Sequence, residues 1–314
     1  MNNNWPKDFV SVADLNAEQI NEVIDTALEL KRNRKTHKKH LANKNVGVYT
    51  NKPSLRTRLS FELAITELGG TSLFIKDDEI GLGKREEISD VAQVLSRYFD
   101  AFVIRTHKHE EVEELATHSR LSVINALTDA EHPCQTMADL LSIKEHFGNL
   151  EGIKLSYVGD GNNVAISLML ASAIIGLEFT AITPDGFEPP KKYVDLATKL
   201  AKENSSNNLQ IKAPKITNDV SAIAQADILY TDVWESMGQS KLPENVKEAF
   251  MKYQLNHRTL EDKDIPVLHC LPAYKGKEIS RELFDKNAET IFNQAENRMH
   301  AQKSILVKLL SQDI

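Results

Sequence analysis

The chain has 314 residues, a formal net charge of -7 at pH 7 and 41% hydrophobic residues, which is the composition of an ordinary globular protein. The negative charge argues against a nucleic-acid partner, and no apolar run approaches the roughly 18 to 20 residues that a membrane span requires. The only two cysteines are Cys134 and Cys270, so a disulfide framework is not expected. We therefore expect a cytoplasmic location.

The first half of the chain alternates short β-branched or aromatic runs with longer amphipathic ones. This pattern predicts strands joined by helices, as in βαβ units that share one parallel sheet. The strand-like runs cover residues 46–50, 71–75, 101–104 and 121–125. The segment 132–148 then predicts a single helix that ends at Gly148. Because a chain of this length favours two domains of about 150 residues, we place the first domain at 1–150.

The alternation restarts after residue 150 and predicts a second parallel sheet. Its strand-like runs cover 153–160, 177–183, 226–232 and 265–272, and the pattern ends near 289–294. A polar loop at 205–208 precedes one further strand. The sequence thus predicts an α/β fold of two lobes, each a parallel sheet flanked by helices. The second domain is expected at 151–294, and the active site is expected in the crevice between the lobes.

The string SLRTRLSFE at 54–62 has the features of an anion-binding site. It follows a predicted strand, and Ser54 is a good N-cap for a helix whose free N–H groups and positive dipole end would bind an anion. Arg56 and Thr57 lie in the first turn and add a planar cation and a hydroxyl. Because cations at this end oppose the helix dipole, an anionic ligand would explain Arg56 and Arg58, and a phosphate fits best.

Together with HPCQ at 132–135, this string resembles the motifs with which the carbamoyltransferase family holds carbamoyl phosphate. The resemblance extends over nearly the whole chain. It implies that a set of first-lobe residues binds carbamoyl phosphate: Ser54, Leu55 through its backbone, Arg56, Thr57, Arg105, His132 and Gln135. Many relatives have Thr at the position of Leu55, which a backbone contact would tolerate. Relatives also often have Gln or His in place of Gly81, so we assign no residue that reaches a neighbouring subunit.

The HPCQ string suits the chemistry of acyl transfer. Pro133 blocks helical continuation, so the His132 imidazole can point at a carbonyl oxygen, while Gln135, one helical turn later, can anchor the carbamoyl nitrogen. A tetrahedral transition state needs donors where negative charge grows on that oxygen, and the loss of one donor costs about 3 to 4 kcal/mol. We assign Arg56, Arg105 and His132 as these donors.

The string GDGNN at 159–163 allows two interpretations. Gly159 and Gly161 match the first two positions of a dinucleotide-binding fingerprint, with Asp185 where a ribose-binding acid would lie, which would indicate a nicotinamide-dependent oxidoreductase. Val164, however, occupies the third glycine position, and this function would leave the first-lobe arginines unexplained. The family resemblance implies instead that Asn163 contacts an amino-acid substrate.

The string DVWESMGQ at 232–239 is expected to select the amine that accepts the carbamoyl group. Asp232 ends a predicted strand and suits an α-ammonium group, while Ser236 and Met237 offer a hydroxyl and an apolar wall for a methylene chain. The SMG string resembles the substrate loop of the ornithine-specific members of the family. L-Ornithine is therefore the expected acceptor and L-citrulline the product, and a related amine is the alternative.

The remaining implied contacts come from HCLPA at 269–273 and from the last helix. The resemblance implies that Cys270 and the Leu271 carbonyl contact the carbamoyl nitrogen and the incoming amine. It also implies that Arg298 contacts the carbonyl of carbamoyl phosphate, so that the helix at about 295–314 joins the first domain. Because the δ-amine of ornithine can attack directly, Cys270 needs no nucleophilic role, and the spacing of histidines and cysteines disfavours a metal site.

We accordingly expect a carbamoyl-group transferase without cofactor or metal, in which the amine attacks carbamoyl phosphate through a tetrahedral intermediate. The expected catalytic residues are Arg56, Arg105, His132, Cys270 and Arg298. The resemblance also implies a homo-oligomer, either a trimer or a multiple of trimers. A sensor that binds these ligands without turnover is a further alternative, although no catalytic position is missing from the sequence.

Overall fold

The computed structural model describes residues 5–34, 39–52, 54–205, 210–235 and 243–311. The chain forms two compact units: unit 1 comprises 1–141 and 296–314, and unit 2 comprises 142–295. Each unit contains its own parallel sheet. Both points at which the chain passes from one unit to the other, after Leu141 and after Ala295, lie inside long helices.

The sheet of unit 1 has four parallel strands in the order β2-β1-β3-β4. The strands are β1 (Asn45–Thr50), β2 (Thr71–Lys76), β3 (Ala101–Arg105) and β4 (Ser122–Leu127). Every residue of β3 is buried, as expected for a central strand covered on both faces. The edge strand β2 has no fully buried residue. Thr50 and Arg105 pair at the carboxyl ends of β1 and β3.

Helices connect these strands and cover the sheet. They are α1 (Ala17–Arg32), α2 (Leu55–Glu67), α3 (Asp77–Ile80), α4 (Ile88–Tyr98), α5 (His109–His118) and α6 (Pro133–Phe147). The amphipathic pattern of α4 shows why they pack: Ile88, Val91, Ala92 and Leu95 recur at helical spacing and are all buried. Helix α6 ends at Gly148, whose φ of 82° is the left-handed conformation expected of a terminating glycine.

The sheet of unit 2 has five parallel strands in the order β7-β6-β5-β8-β9. The strands are β5 (Lys154–Val158), β6 (Glu178–Ile182), β7 (Lys215–Thr217), β8 (Ile228–Thr231) and β9 (Val267–His269). Its helices are α7 (Asn163–Ile175), α8 (Lys191–Asn204), α9 (Glu244–Phe250) and α10 (Arg281–Lys286). Every residue of α7 from Val164 to Ile175 is buried, which explains its almost wholly apolar sequence.

Strand order reverses once in each sheet, and the reversal marks where ligands bind in open α/β sheets. In unit 1 the chain turns from β1 to β2 on one side and to β3 on the other, and in unit 2 it diverges from β5 in the same way to β6 and β8. Such folds bind ligands beyond the carboxyl ends of the two strands at the reversal. The loops after β1, β3, β5 and β8 are therefore the places to look for a site.

The structure confirms the predicted α/β class, with two parallel sheets flanked by helices. One assignment was wrong: residues 289–294, expected to end the strand pattern, lie in the helix α11 (Ala288–Leu310). Ile291 is fully buried while its neighbour Phe292 is 56% exposed. No glycine or proline separates this segment from the helical run that follows, so the helix continues through it. Neither this long helix nor any other in the described ranges is apolar enough to cross a bilayer.

A buried ion pair joins α2 to α11 within unit 1. The Lys303 ammonium, which is fully buried, donates to Glu67, and Glu67 also accepts from Arg34 Nη2 at 2.9 Å. Burial lowers the pKa of Lys303. Burial alone would raise the pKa of Glu67, but hydrogen bonds from Arg34 and Lys303 bring that pKa below its ordinary value. The carboxylate thus compensates the buried ammonium and holds the two helices together.

We expect Glu67→Ala to lower the free energy of unfolding by about 3 to 5 kcal/mol, because it removes the carboxylate that compensates a buried charge. The control is Glu62→Ala on the same helix, whose partner Arg58 is about half exposed and not buried as Lys303 is, so that this pair should contribute less than about 1 kcal/mol. Urea unfolding of both variants provides the comparison. Equal losses of stability would show that the buried pair has no special role.

Candidate active site

The N-terminus of α2 lies just beyond the carboxyl end of β1, and Ser54 caps it. Ser54 Oγ accepts from the Thr57 backbone N–H at 3.4 Å and donates to Thr57 Oγ1 at 2.9 Å. The other N–H groups of the first turn have no partner within the helix, which is the general condition for binding an anion. Leu55 is the first residue of α2 and is 70% exposed, so its backbone N–H is one of these groups.

The two arginines of this helix have different surroundings. Arg58 Nε donates to Glu62 Oε1 at 3.0 Å, and its guanidinium lies 4.4 Å from the centroid of the Phe74 ring. Arg56 makes no hydrogen bond or ion pair within the described part of the chain. An anionic ligand is therefore needed to explain only Arg56. Our expectation that it would also explain Arg58 was wrong, because Glu62 and Phe74 account for that side chain.

Two further guanidinium groups meet at Thr57, which is itself buried. Arg105, the last residue of β3, donates from Nη1 to Thr57 Oγ1 at 3.3 Å, and Arg298 of α11 donates from Nη2 to the same oxygen at 3.0 Å. Both arginines are almost fully buried, with 6% and 3% of their surface exposed. Three elements distant in sequence thus concentrate positive charge beside the N-terminus of α2, where an anion would be strongly attracted.

His132 lies within the field of these cations. It is buried immediately before Pro133, the first residue of α6. Burial lowers its pKa well below the ordinary value, and the charges of Arg298, Arg105 and Lys52 lower it further. The imidazole is therefore neutral at neutral pH and carries one ring N–H. Lys52 was missed in the sequence, although its position in the turn after β1 could have indicated it.

Gln135 has an orientation that its neighbour Asp139 fixes. Its Nε2 donates to Asp139 Oδ1 at 2.8 Å, and both residues are essentially fully buried in α6. Gln135 Oε1 has no hydrogen-bond partner in the described chain. A buried acceptor without a donor is costly in a native protein. This oxygen is therefore placed to accept an N–H from a ligand.

In unit 2, Asp232 follows β8 and accepts hydrogen bonds from three sides. Asn162 Nδ2 donates to its Oδ2 at 3.0 Å, while Cys270 Sγ and the Val233 backbone N–H donate to its Oδ1 at 3.1 and 2.8 Å. Asn162 is at the same time the N-cap of α7, because its Oδ1 accepts from the backbone N–H groups of Val164 and Ala165. The strings after β5, β8 and β9 are thus brought together, and Asn162 was missed in the sequence.

A second carboxylate, Asp160, lies close enough to Asp232 for their charges to interact. Burial raises the pKa of Asp160 to about 6, and the charge of Asp232 contributes to the increase. No side-chain hydrogen bond of Asp160 lies within the described ranges. Two carboxylates at the ends of neighbouring strands give this end of the sheet a negative potential that favours a cation. Asn163, the residue assigned to the amino-acid substrate, is the first residue of α7 in the same loop.

The HCLPA segment forms a turn after β9 that hydrogen bonds of His269 hold. The Leu271 backbone N–H donates to His269 Nδ1 at 2.9 Å, so His269 Nε2 carries the ring proton and donates to Glu278 Oε1 at 3.1 Å. Leu271 has a left-handed φ of 61°, and the Leu271–Pro272 peptide is cis. Both nitrogens of this buried imidazole are therefore occupied, and the turn holds Cys270 against Asp232.

Asp232, His269 and Cys270 place ligand-type atoms within 4.8 Å of one another, and within the described ranges no other trio of metal-ligating residue types does so. A metal ion would have to displace either the Leu271 N–H or the Glu278 carboxylate from His269, since both ring nitrogens are engaged. These three side chains are therefore better suited to stabilising the turn after β9 than to binding a metal.

Gly161 has a structural explanation that does not involve a dinucleotide. A Cβ at this position would lie 2.3 Å from Pro189 N, and the Gly161 N–H donates to Phe187 O at 2.8 Å. The glycine therefore lets the loop pack against residues 187–189 and not against a pyrophosphate. Gly81, the C-cap of α3, has a φ of 61°, and a Cβ there would lie 3.2 Å from Arg85 Cβ. A Gln or His at this position would be strained.

Two of the residues expected to bind ornithine, Ser236 and Met237, lie outside the described residues, which end at Glu235 on this side of the gap. The other expected site residues form two groups. Unit 1 contains Ser54, Leu55, Arg56, Thr57, Arg105, His132, Gln135 and Arg298, and unit 2 contains Asn163, Asp232, Cys270 and Leu271.

Comparisons with known proteins identify two family domains along the chain, and the second of them includes Arg298. Residues 7–145 match the family model described as the carbamoyl-P binding domain of aspartate/ornithine carbamoyltransferase, and residues 151–309 match the Asp/Orn binding domain. A protein of Thermoplasma volcanium named as a catabolic ornithine carbamoyltransferase is 44% identical over 308 residues, which cover 97% of this chain and 99% of the relative. The ornithine carbamoyltransferase of Methanocaldococcus jannaschii is 44% identical over 294 residues, covering 93% and 95%.

Among solved structures, that of the ornithine carbamoyltransferase from Pyrococcus furiosus matches with a TM-score of 0.90 and 38% identity, covering 98% of this chain and 97% of that one. Sequence and fold therefore agree over nearly the full length. The chain belongs to the aspartate/ornithine carbamoyltransferase family.

Proposed function

We propose that this chain transfers the carbamoyl group of carbamoyl phosphate to the δ-amine of L-ornithine, giving L-citrulline and phosphate, a step of arginine metabolism. The observation that carries the proposal is the meeting of Arg105 and Arg298 on Thr57 at the capped N-terminus of α2, beside a neutral His132. The names of the related proteins support the choice of ornithine.

Unit 1 would bind carbamoyl phosphate. The phosphate dianion would lie against the first-turn N–H groups of α2 and the guanidinium of Arg56, which otherwise has no anion in the described chain. The carbonyl oxygen would accept from Arg105, Arg298 and His132. Because His132 is neutral, it donates without adding a third repelling charge. The amide of the carbamoyl group would donate to Gln135 Oε1, which lacks a donor.

Unit 2 would bind ornithine. The carboxylates of Asp160 and Asp232 suit the α-ammonium group, and Asn163 would contact the α-carboxylate. Ser236 and Met237 would contact the rest of the amino acid. The Cys270 thiol donates to Asp232, which supports a positioning role for Cys270 at the reacting amine, together with the Leu271 carbonyl. The two ring nitrogens of His269 are engaged, so it is not available as a base for a Cys270 nucleophile.

The reaction then needs no covalent enzyme intermediate and no cofactor. The neutral δ-amine would attack the carbonyl carbon, and the tetrahedral intermediate would place negative charge on the oxygen that accepts from Arg105, His132 and Arg298, while Arg56 would stabilise the charge of the departing phosphate. Phosphate leaves with its electron pair toward the N-terminus of α2, and the amine proton leaves with it as hydrogen phosphate. Both cysteines are free thiols, which is consistent with the cytoplasmic location that we propose.

We further infer that the protein is a homo-oligomer, and the family resemblance makes a trimer the expected form. Leu55, Leu59 and Leu63 form an exposed stripe on one face of α2, with 70%, 45% and 45% of their surfaces accessible. Arg58 stacks on Phe74 of the edge strand β2, so the leucine stripe lies near a sheet edge that pairs with no other strand in the described ranges. Leucines exposed in a row beside such an edge are typical of an interface between subunits.

A colorimetric assay for ureido products tests the proposed function. With carbamoyl phosphate as donor, we expect product with ornithine and little with aspartate, putrescine or acetylornithine. Preference for one of the other amines would reject ornithine as the substrate. Tight binding of both substrates without product would instead identify a sensor. Binding of reduced nicotinamide cofactor at millimolar concentration would support the oxidoreductase alternative.

Arg56→Ala should lower kcat/KM for carbamoyl phosphate by at least about a hundredfold, because it removes a charge-assisted donor from the dianion and the transition state. Arg58→Ala is the matched control, two residues away and paired with Glu62, and should change kcat/KM less than about threefold. Steady-state kinetics and thermal melting of both variants provide the test. If Arg56→Ala retained near-normal kinetics, Arg56 would have no role in binding the anion.

Leu59→Glu should weaken subunit association, because it places a charge in the centre of the leucine stripe. Sedimentation or light scattering after gel filtration would detect a shift from trimer toward monomer. Met251→Glu, at a residue that is 48% exposed in unit 2, should leave the mass unchanged. A monomeric parent protein, or a Leu59→Glu variant that assembles normally, would contradict the assigned interface.

A further inference from the structure

Asp139 is a buried acid that the proposed reaction does not use directly. It lies one helical turn after Gln135 in α6 and has no exposed surface. Its Oδ1 accepts from Gln135 Nε2 at 2.8 Å. Burying a carboxylate is unfavourable unless hydrogen bonds compensate the loss of water, and the bond from Gln135 is one that does so.

The carboxylate can only accept hydrogen bonds, and this determines which end of the Gln135 amide faces it. A glutamine side chain has a donor end and an acceptor end of nearly the same shape. With Asp139 as its neighbour, the NH₂ end must turn toward the carboxylate. The carbonyl oxygen, Oε1, is then directed elsewhere, and it is buried with no partner in the described chain.

We propose that Asp139 is a positioning residue that makes the site select an acyl phosphate carrying an N–H donor over one carrying a methyl group. It acts through Gln135, whose fixed carbonyl oxygen accepts from the carbamoyl NH₂. The proposal rests on the proposed function, because it assumes that unit 1 binds carbamoyl phosphate. It goes further in assigning the discrimination between carbamoyl phosphate and its methyl isostere, acetyl phosphate, to a residue that does not contact the ligand.

The physical basis is the cost of an unsatisfied acceptor. Acetyl phosphate has the same phosphate, the same carbonyl and a methyl group where carbamoyl phosphate has its NH₂. When the methyl group lies against Gln135 Oε1, that buried oxygen stays without a donor, which weakens binding by about ten- to a hundredfold. Without Asp139, the amide is free to rotate and turn its NH₂ inward. The site then loses its preference for a donor.

The experiment compares KM for carbamoyl phosphate with the inhibition constant of acetyl phosphate as a competitive inhibitor. Asp139→Leu keeps the approximate size of the side chain and removes the acceptor, and it should reduce the ratio of the two constants by about tenfold. KM for ornithine should stay within about twofold of the parent value. Met137→Leu, at a fully buried neighbour on the same helix, is the control and should leave the ratio unchanged.

A double-mutant cycle with Gln135→Leu shows whether Asp139 acts through Gln135. Each single variant should lose the discrimination, and the double variant should lose no more than either. Asp139→Ala, which also removes the acceptor, replaces the leucine variant in the same cycle if the latter does not fold. An unchanged ratio in a folded Asp139 variant, or additive losses in the cycle, would overturn the proposal. Failure of the proposed function would show separately, as a parent protein that makes no ureido product.

Discussion

The contact of two buried guanidinium groups with one threonine hydroxyl is the constraint on which the rest of unit 1 depends. Arg105 and Arg298 reach Thr57 from β3 and α11, and Thr57 itself lies in the first turn of α2. Like charges this close repel each other, so packing of all three elements must hold them in place. A dianion at the same point changes this repulsion into attraction. The free-energy cost of bringing the cations together is therefore compensated by packing when the protein folds, so that ligand binding does not have to compensate it.

The two sheets share a strand reversal, but the charged residues beside it have opposite signs in the two units. In unit 1 the strand reversal lies beside arginines and a helix N-terminus, whereas in unit 2 it lies beside Asp160 and Asp232. One unit thus favours an anion and the other a cation, as the transfer of a carbamoyl group from a phosphate to an amino acid requires. Burial keeps the His132 imidazole neutral by lowering its pKa, and the neighbouring cations lower that pKa further.

Periodicity predicted the class of fold because buried parallel strands leave short β-branched runs between amphipathic helices. It was wrong at 289–294, where the two apolar neighbours Ile291 and Phe292 resemble a strand pattern. The absence of a glycine or proline in this segment is the feature that indicates a continuous α11. Local rules also identified Ser54 as an N-cap. The contact of Asn162 with Asp232 could not be predicted, because the two residues are 70 positions apart and only the fold brings them together. The spacing of Gln135 and Asp139 did contain a signal, since residues four apart on a helix face each other.

Asn162 has two tasks that cannot be separated. The oxygen of its amide caps the N-terminus of α7, and the nitrogen donates to the Asp232 carboxylate. Replacing it would loosen a helix in the core of unit 2 and misdirect an acid at the same time. An attempt to evolve this scaffold toward another acceptor amine should therefore vary the surrounding loops and leave this asparagine untouched. Variants that lose it would be eliminated for poor folding before their selectivity could be judged.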